Sequence, residues 1–200
     1  MSESSEERPS SVPSTAKQGG EVQNHWVWTE PAVWTQRMLT ALEQGVKGGV
    51  WYSLIDKVFA ERTLFAAARS VVANKGAAGV DHISVDEFDA NSEANVAELS
   101  AALRVGSYEP GAIRRVYIPK PGSSEPRPLG IPTVRDRTVQ GAIRYVIEPI
   151  FETEFAEHSY GFRPMRGCKD ALRRVESLLE SGRVYVVDAD LKNFFDTIPH

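Results

Sequence analysis

Two hundred residues with a 42% hydrophobic fraction suffice for one ordinary domain or for part of a larger protein. No apolar run approaches the roughly 18 residues that a membrane span needs, and the polar, acidic opening lacks the apolar stretch of a secretory signal, so a cytoplasmic location without a membrane partner is expected. The net charge of −4 counts against a nucleic-acid partner until its distribution is read: Ile113 to Ile147 holds seven basic residues against Glu125 and Asp136, a local charge of +5.

In chain order, residues 1–25 are rich in Ser, Glu, Pro and Gly and are expected to be a disordered leader. Trp26, Trp28 and Trp34 lead into Met38, Leu39 and Leu42, whose spacing predicts a helix ending at Gly45. Leu64, Ala67, Ala68, Val71 and Val72 predict a second helix, stopped by Asn74, Lys75 and Gly76. Val96, Leu99 and Leu103 lie on one stripe of a short helix over Glu93 to Arg104. After Gly106 the period changes, and Ala112–Ile118 and Arg127–Ile131 read as a hairpin with a Pro-Lys-Pro-Gly tip. Thr133-Val134-Arg135-Asp136 resembles a capping box opening a helix through Val139, Ile143, Val146 and Ile150, which Pro149 should end or bend. A further helix runs from about Cys168 to Leu179 and is closed by Gly182. Val184 to Asp190 reads as a buried inner strand with carboxylates at its exit; without neighbours its backbone and apolar face would favour aggregation or pairing with a partner. Mixed helix and antiparallel strand make the expected class α+β.

The chemistry concentrates after that strand, at Asp188, Asp190 and Asp196. Carboxylates at the end of a buried strand cost desolvation and repel one another unless a cation compensates, and Mg2+ prefers hard oxygen donors. Taken alone, the three residues read equally well as strand-end and cap residues. The lone Cys168 cannot form an internal disulfide. His25, His82, His158 and His200 lack metal-ligand spacing.

Four strings occur in an order that resembles the group II intron-encoded reverse transcriptases. They are N-K-G-A-A-G-V-D from Asn74, Y-I-P-K-P-G-S-S-E-P-R-P-L-G-I-P-T-V-R-D-R from Tyr117, S-Y-G-F-R-P-M-R-G-C-K-D-A-L from Ser159, and V-V-D-A-D-L-K-N-F-F-D-T-I-P-H from Val186. The resemblance implies a right-hand polymerase fold, with an N-terminal helical extension over 26–60, fingers over 61–155 and the start of a palm over 156–200, before the Tyr-x-Asp-Asp motif. It implies that Asp190 and the Leu191 carbonyl hold Mg2+, that Phe195 crowds a ribose 2′-hydroxyl, and that Lys120 and Arg127 contact the triphosphate of the incoming nucleotide. Arg114, Arg115, Arg135 and Arg137 are template-backbone candidates or solubilising surface charges, and Lys75 lies in a template-facing loop or a plain turn. Gly161, Phe162 and Arg163 would shape the floor beneath the template base.

The implied activity is RNA-directed DNA polymerisation, with intron splicing as the family's second role. The partners would be intron or template RNA, a DNA primer, dNTPs and a complementing C-terminal polypeptide. A reverse transcriptase of another bacterial retroelement and a non-enzymatic RNA-binding fragment are the rival readings. With one of three family carboxylates in sequence, the 200-residue polypeptide is expected not to extend oligo(dT) on poly(rA) with dTTP and Mg2+. Clear extension by the purified chain refutes that expectation.

Overall fold

The computed structural model describes residues 24–45, 50–119, 122, 126–191, 194 and 197–199. Most of the expected leader, the hairpin tip with Lys120, and Phe195 with Asp196 lie outside the described residues. After a 3-10 turn at Asn24–Trp26 come α1 (Gln36–Gln44), α2 (Leu54–Val58), α3 (Glu61–Ala73), α4 (Val85–Ala90) and α5 (Ser92–Val105). Then follow β1 (Arg114–Ile118), β2 (Arg127–Ile131), α6 (Val134–Glu152) and α7 (Cys168–Glu180). The chain divides into two compact units, one reaching Phe155 and one starting at Ala156.

The first unit is built on the apolar stripes of α3 and α6. Leu64, Ala67 and Ala68 face inward from α3, and Val134, Val139, Ala142 and Val146 from α6. The helices approach closely because their meeting residues are small: a Cβ at Gly141 would sit 3.2 Å from the Ala67 Cβ. Trp26, Trp34 and Leu39 complete the same core with Val58, Phe88, Val96 and Leu99, so segments 26–60 and 61–155 share one apolar interior. Hydroxyl caps start the helices where the chain enters them. Thr35 accepts from the Met38 N–H, Ser84 from Glu87 at 3.1 Å and Thr133 from Asp136 at 3.0 Å. Gly45 (φ 85°) and Gly106 (φ 73°) take the positive φ at the C-caps of α1 and α5.

The hairpin is antiparallel, pairing Arg114 with Ile131, Val116 with Leu129 and Ile118 with Arg127. Two short helices are not among the expected elements, and one expected strand needs correction. α2 and α4, five and six residues long, are too short for a periodic stripe to show, although Ser84-x-x-Glu87 is a visible N-terminal signal. Of the two outcomes expected at Pro149, an end or a bend, α6 does not take the end and continues to Glu152. The Tyr145 carbonyl, left without the N–H that residue 149 would normally donate, instead accepts the Trp34 indole N–H at 2.8 Å. Finally, Val184–Asp190 forms no strand and is exposed, with Tyr185 at 96%. An apolar run needs a neighbouring ladder to become a strand, and the sheet of the described residues contains β1 and β2 alone.

The buried Trp34–Tyr145 bond therefore replaces a lost helix bond, and its removal has a distinctive signature. Trp34→Phe should cost about 1–3 kcal/mol in urea unfolding. In a Pro149→Ala background, where the backbone can serve Tyr145 itself, the same substitution should cost clearly less. Equal costs in the two backgrounds would contradict this account.

Candidate nucleic-acid interface

The loop from Asn74 to Asp81 leaves α3 through Lys75, which takes a left-handed φ of 49°. It then lies against the start of α6 so tightly that a Cβ at Gly79 would fall 2.6 Å from the Thr133 Cα, a contact only glycine permits. Gly76 is similarly pressed by the Arg137 guanidinium. Two arginines staple the loop in place. Arg137 donates from Nη2 to the Ala77 carbonyl at 2.8 Å and from Nε to Thr133 at 3.4 Å, while Arg114 donates to the Ala78 carbonyl at 3.2 Å.

In the first turn of α6 lies Asp136, a buried carboxylate. Its Oδ1 accepts the Tyr108 hydroxyl at 2.6 Å, and its Oδ2 accepts the Thr133 hydroxyl at 2.7 Å and the Gly111 N–H at 3.1 Å. Burial alone would raise this carboxyl, but the bonds from Tyr108, Thr133 and Gly111, helped by the Arg135 charge, outweigh it and hold Asp136 below its ordinary value. Tyr108 moves the other way: burial, the bond to Asp136 and the Asp136 charge all push its hydroxyl well above the ordinary tyrosine value. Arg135 lies over the Tyr108 ring, 5.6 Å from its centroid, and reaches Glu98 on α5 at 3.3 Å.

The hairpin emerges from this root. By register Arg114, Val116 and Ile118 share a face with Arg127, Leu129 and Ile131, whereas Arg115 and Tyr117 share the other with Pro128 and Gly130. Arg115 and Arg127 are both exposed. Of the residues singled out from sequence, Lys75, Arg114, Arg135 and Arg137 thus converge around the hairpin root, and Arg115 and Arg127 lie on opposite faces of the strands. Tyr108 and Asp136 as a bonded pair were missed; the Thr-x-x-Asp cap was visible, but nothing local marks Tyr108 as its partner.

The second unit carries the other candidates. Arg163 is buried and donates from Nη1 to the Ala156 carbonyl at 2.7 Å and the Ser159 carbonyl at 3.0 Å, tying the loop into a closed turn. Beside it Phe162 holds a φ of 54° with its ring fully exposed, and Gly161 has nothing packed where a Cβ would be. The Asp170 carboxylate accepts the Gly167 N–H at 2.9 Å and so starts α7. Asp188, Asp190 and Leu191 lie on the exposed irregular segment. Among the described residues no cluster of three or more His, Cys, Asp or Glu is placed to hold a metal. Carboxylate and carbonyl oxygens at 190 and 191 are nevertheless the hard donors that a divalent cation takes.

A family model for reverse transcriptase (RNA-dependent DNA polymerase) matches residues 118–200. The group II intron-encoded protein LtrA of Lactococcus lactis subsp. cremoris is 38% identical over 136 residues, 68% of this chain and 22% of its own length. Residues 118–200 therefore carry reverse transcriptase sequence, and the chain is similar to group II intron-encoded proteins. Protein YkfC of Escherichia coli is 36% identical over 181 residues, covering 88% of this chain and 43% of YkfC. A putative COX1/OXI3 intron 1 protein of Saccharomyces cerevisiae is 36% identical over 103 residues, 52% of this chain and 12% of that protein. The chain thus spans less than half the length of these curated relatives. The family match implies a reverse transcriptase-like fold, with which the mixed helices and two-stranded sheet are compatible, and enzymes of this family generally depend on a divalent metal.

Because the Asp136 carboxyl is held low in the folded reverse transcriptase segment, the stability it contributes is fully present above about pH 4 and is lost as the pH falls through its lower folded value. Asp136→Asn should cost about 2–3 kcal/mol at neutral pH, since an amide cannot accept all three donors, and should flatten that acid limb. Urea unfolding from pH 7 down to pH 2 provides the check; an unchanged acid limb in the variant would rule out this role for Asp136.

Proposed function

We propose that this chain supplies the fingers and the beginning of the palm of an RNA-directed DNA polymerase that copies, and helps to splice, a group II intron. The observation that carries the reading is the joining of two of the four family-like strings at one place: the Asn74–Asp81 loop is bonded to the hairpin root and to the start of α6 by Arg114 and Arg137. A basic hairpin standing on a fixed root is suited to gripping phosphates. Lys120 and Arg127 are assigned to the triphosphate of the incoming dNTP, as a point charge and a planar fork. Arg115 and Lys75, exposed on the strand and loop, are assigned to the backbone of the RNA template or DNA primer.

In the second unit, the exposed ring and left-handed backbone of Phe162 suit a surface that stacks on a base rather than one that packs a core. Arg163 then acts by holding that loop, since its guanidinium engages the Ala156 and Ser159 carbonyls. Asp190 and the Leu191 carbonyl are assigned to Mg2+, with further carboxylates coming from a complementing polypeptide or from more of the same protein. When bound, the metal would neutralise charge on the transferring phosphoryl group. Phe195 is assigned to exclude a 2′-hydroxyl.

Titration of labelled group II intron RNA at about 50 mM and about 200 mM salt tests the grip. Affinity should fall steeply with salt, and the Arg115→Ala, Arg127→Ala double variant should lower the slope of log K against log salt by roughly 2. Salt-independent binding, or a slope the double variant leaves unmoved, would overturn the assignment of this hairpin to nucleic acid. Binding without primer extension when the downstream half of a relative is supplied would favour a non-enzymatic RNA-binding protein.

A further inference from the structure

An open-sided groove of about 300 Å³ runs along the seam between α3 and α6, apart from the hairpin. It exists because Ala67 and Gly141, where the helices touch, have no bulk to fill it. Ser70 and Asn74 line it from α3; Arg137, Gln140 and Arg144 line it from α6. No carboxylate is among the lining residues, and Glu148, at 3.5 Å from the Arg144 Nε, lies one turn beyond. The two arginines are seven residues apart, which puts them about 10 Å apart along the helix axis and nearly on the same face.

The charge of Arg137 is available in the groove, while Arg144 shares its charge with Glu148 through an i,i+4 ion pair. Arg137 spends its bonds on the Thr133 and Ala77 carbonyls, which fix the guanidinium without neutralising it. The Ser70 hydroxyl and the Asn74 and Gln140 amides make no side-chain hydrogen bond to another described residue. Asn74, Gln140 and Arg144 are exposed, so the channel is open along its length rather than closed over a single small molecule. It is lined by Asn74, the residue before Lys75 at the beginning of the loop assigned above to nucleic acid.

We infer that the α3–α6 groove is a second nucleic-acid site, a track for the phosphodiester backbone of an RNA strand that continues past the Lys75 loop. Two cations two turns apart, Arg137 held by carbonyls and Arg144 exposed, with neutral hydrogen-bonding groups between them, suit successive phosphates and sugars of a chain. The inference rests on the RNA-binding reading of the hairpin, but it concerns different residues, so the two can fail separately.

Binding of a labelled single-stranded oligo(U) to the 200-residue chain at about 50 mM salt tests it. Arg144→Ala should weaken binding about fivefold, and Arg144→Lys should recover most of that loss. Ser70→Asp, which keeps both arginines but places a negative charge in the groove, should weaken binding to a similar extent. Arg62→Ala removes an exposed cation of α3 that does not line the groove and should change affinity by less than about twofold. Unchanged thermal unfolding of these variants separates lost contact from lost structure. If Arg144→Ala and Ser70→Asp behave like Arg62→Ala while the Arg115, Arg127 double variant loses affinity, the groove inference fails and the hairpin reading stands. If the wild-type chain does not bind oligo(U), both fail. Equal competition by a poly-glutamate peptide would overturn the groove as an RNA track and make it a site for acidic peptide.

Discussion

A carboxylate removed from water is costly unless donors replace the lost hydration, and Asp136 receives three. Those donors come from separate places: Tyr108 and Gly111 precede β1, and Thr133 follows β2. One side chain therefore closes the chain on both sides of the hairpin and joins it to the first turn of α6, where the helix dipole also favours a negative charge. The hairpin root is fixed whatever its tip does. The Asn74–Asp81 loop depends on the same joint, because Gly79 packs on the backbone of Thr133 and Arg137 reaches Ala77 from the turn that Asp136 helps to start.

This arrangement divides the arginines of the basic block by what engages them. Arg135 is held by Glu98 and the Tyr108 ring, and Arg114 and Arg137 are bonded to carbonyls. A carbonyl orients a guanidinium but cancels none of its charge, so Arg114 and Arg137 build structure and still contribute positive potential. Arg115 and Arg127, exposed on opposite faces of the strand pair, spread that potential along the hairpin. A net negative chain can thus present a locally positive surface, because much of its acid lies elsewhere, as with Asp86, Glu87 and Asp89 on α4 and Glu93 at the start of α5.

The elements legible in the sequence are those whose cause is local. α1, α3, α5, α6 and α7 are long enough to display a repeating stripe or a cap, and the hairpin announces itself by a change of period and a Pro-Gly tip. What stayed hidden depends on distant partners. Pro149 should end or bend α6, and the indole that serves the carbonyl it leaves unpaired is more than a hundred residues away at Trp34. The Tyr108–Asp136 bond spans 28 residues and leaves no periodic trace. Arg163 reads as a basic residue in a loop, although its location under two carbonyls makes it structural. The motif strings name the candidate residues, whereas the bonds that tie Arg114 and Arg137 to the Asn74–Asp81 loop leave no trace in them.

Val184–Val187 illustrates the difference between a demand for burial and burial itself. The first unit meets that demand internally, with tryptophans, leucines and valines packed between α1 and α6. In the second, Arg163 is the one buried residue among the described residues from Ala156 onward, and Leu172, Val175 and Leu179 on α7 stay exposed by about half or more. Order there comes from local bonds instead: Arg163 to its loop, Asp170 to the start of α7, and Gly182 at φ 90° closing its end. Local bonds of that kind can set a helix and a turn, but they do not reward valines for leaving water. Each such side chain gains about 1.5–3 kcal/mol only when a surface covers it. The apolar side of α7 and the run from Val184 to Val187 therefore present apolar surface that the local bonds of the second unit do not bury.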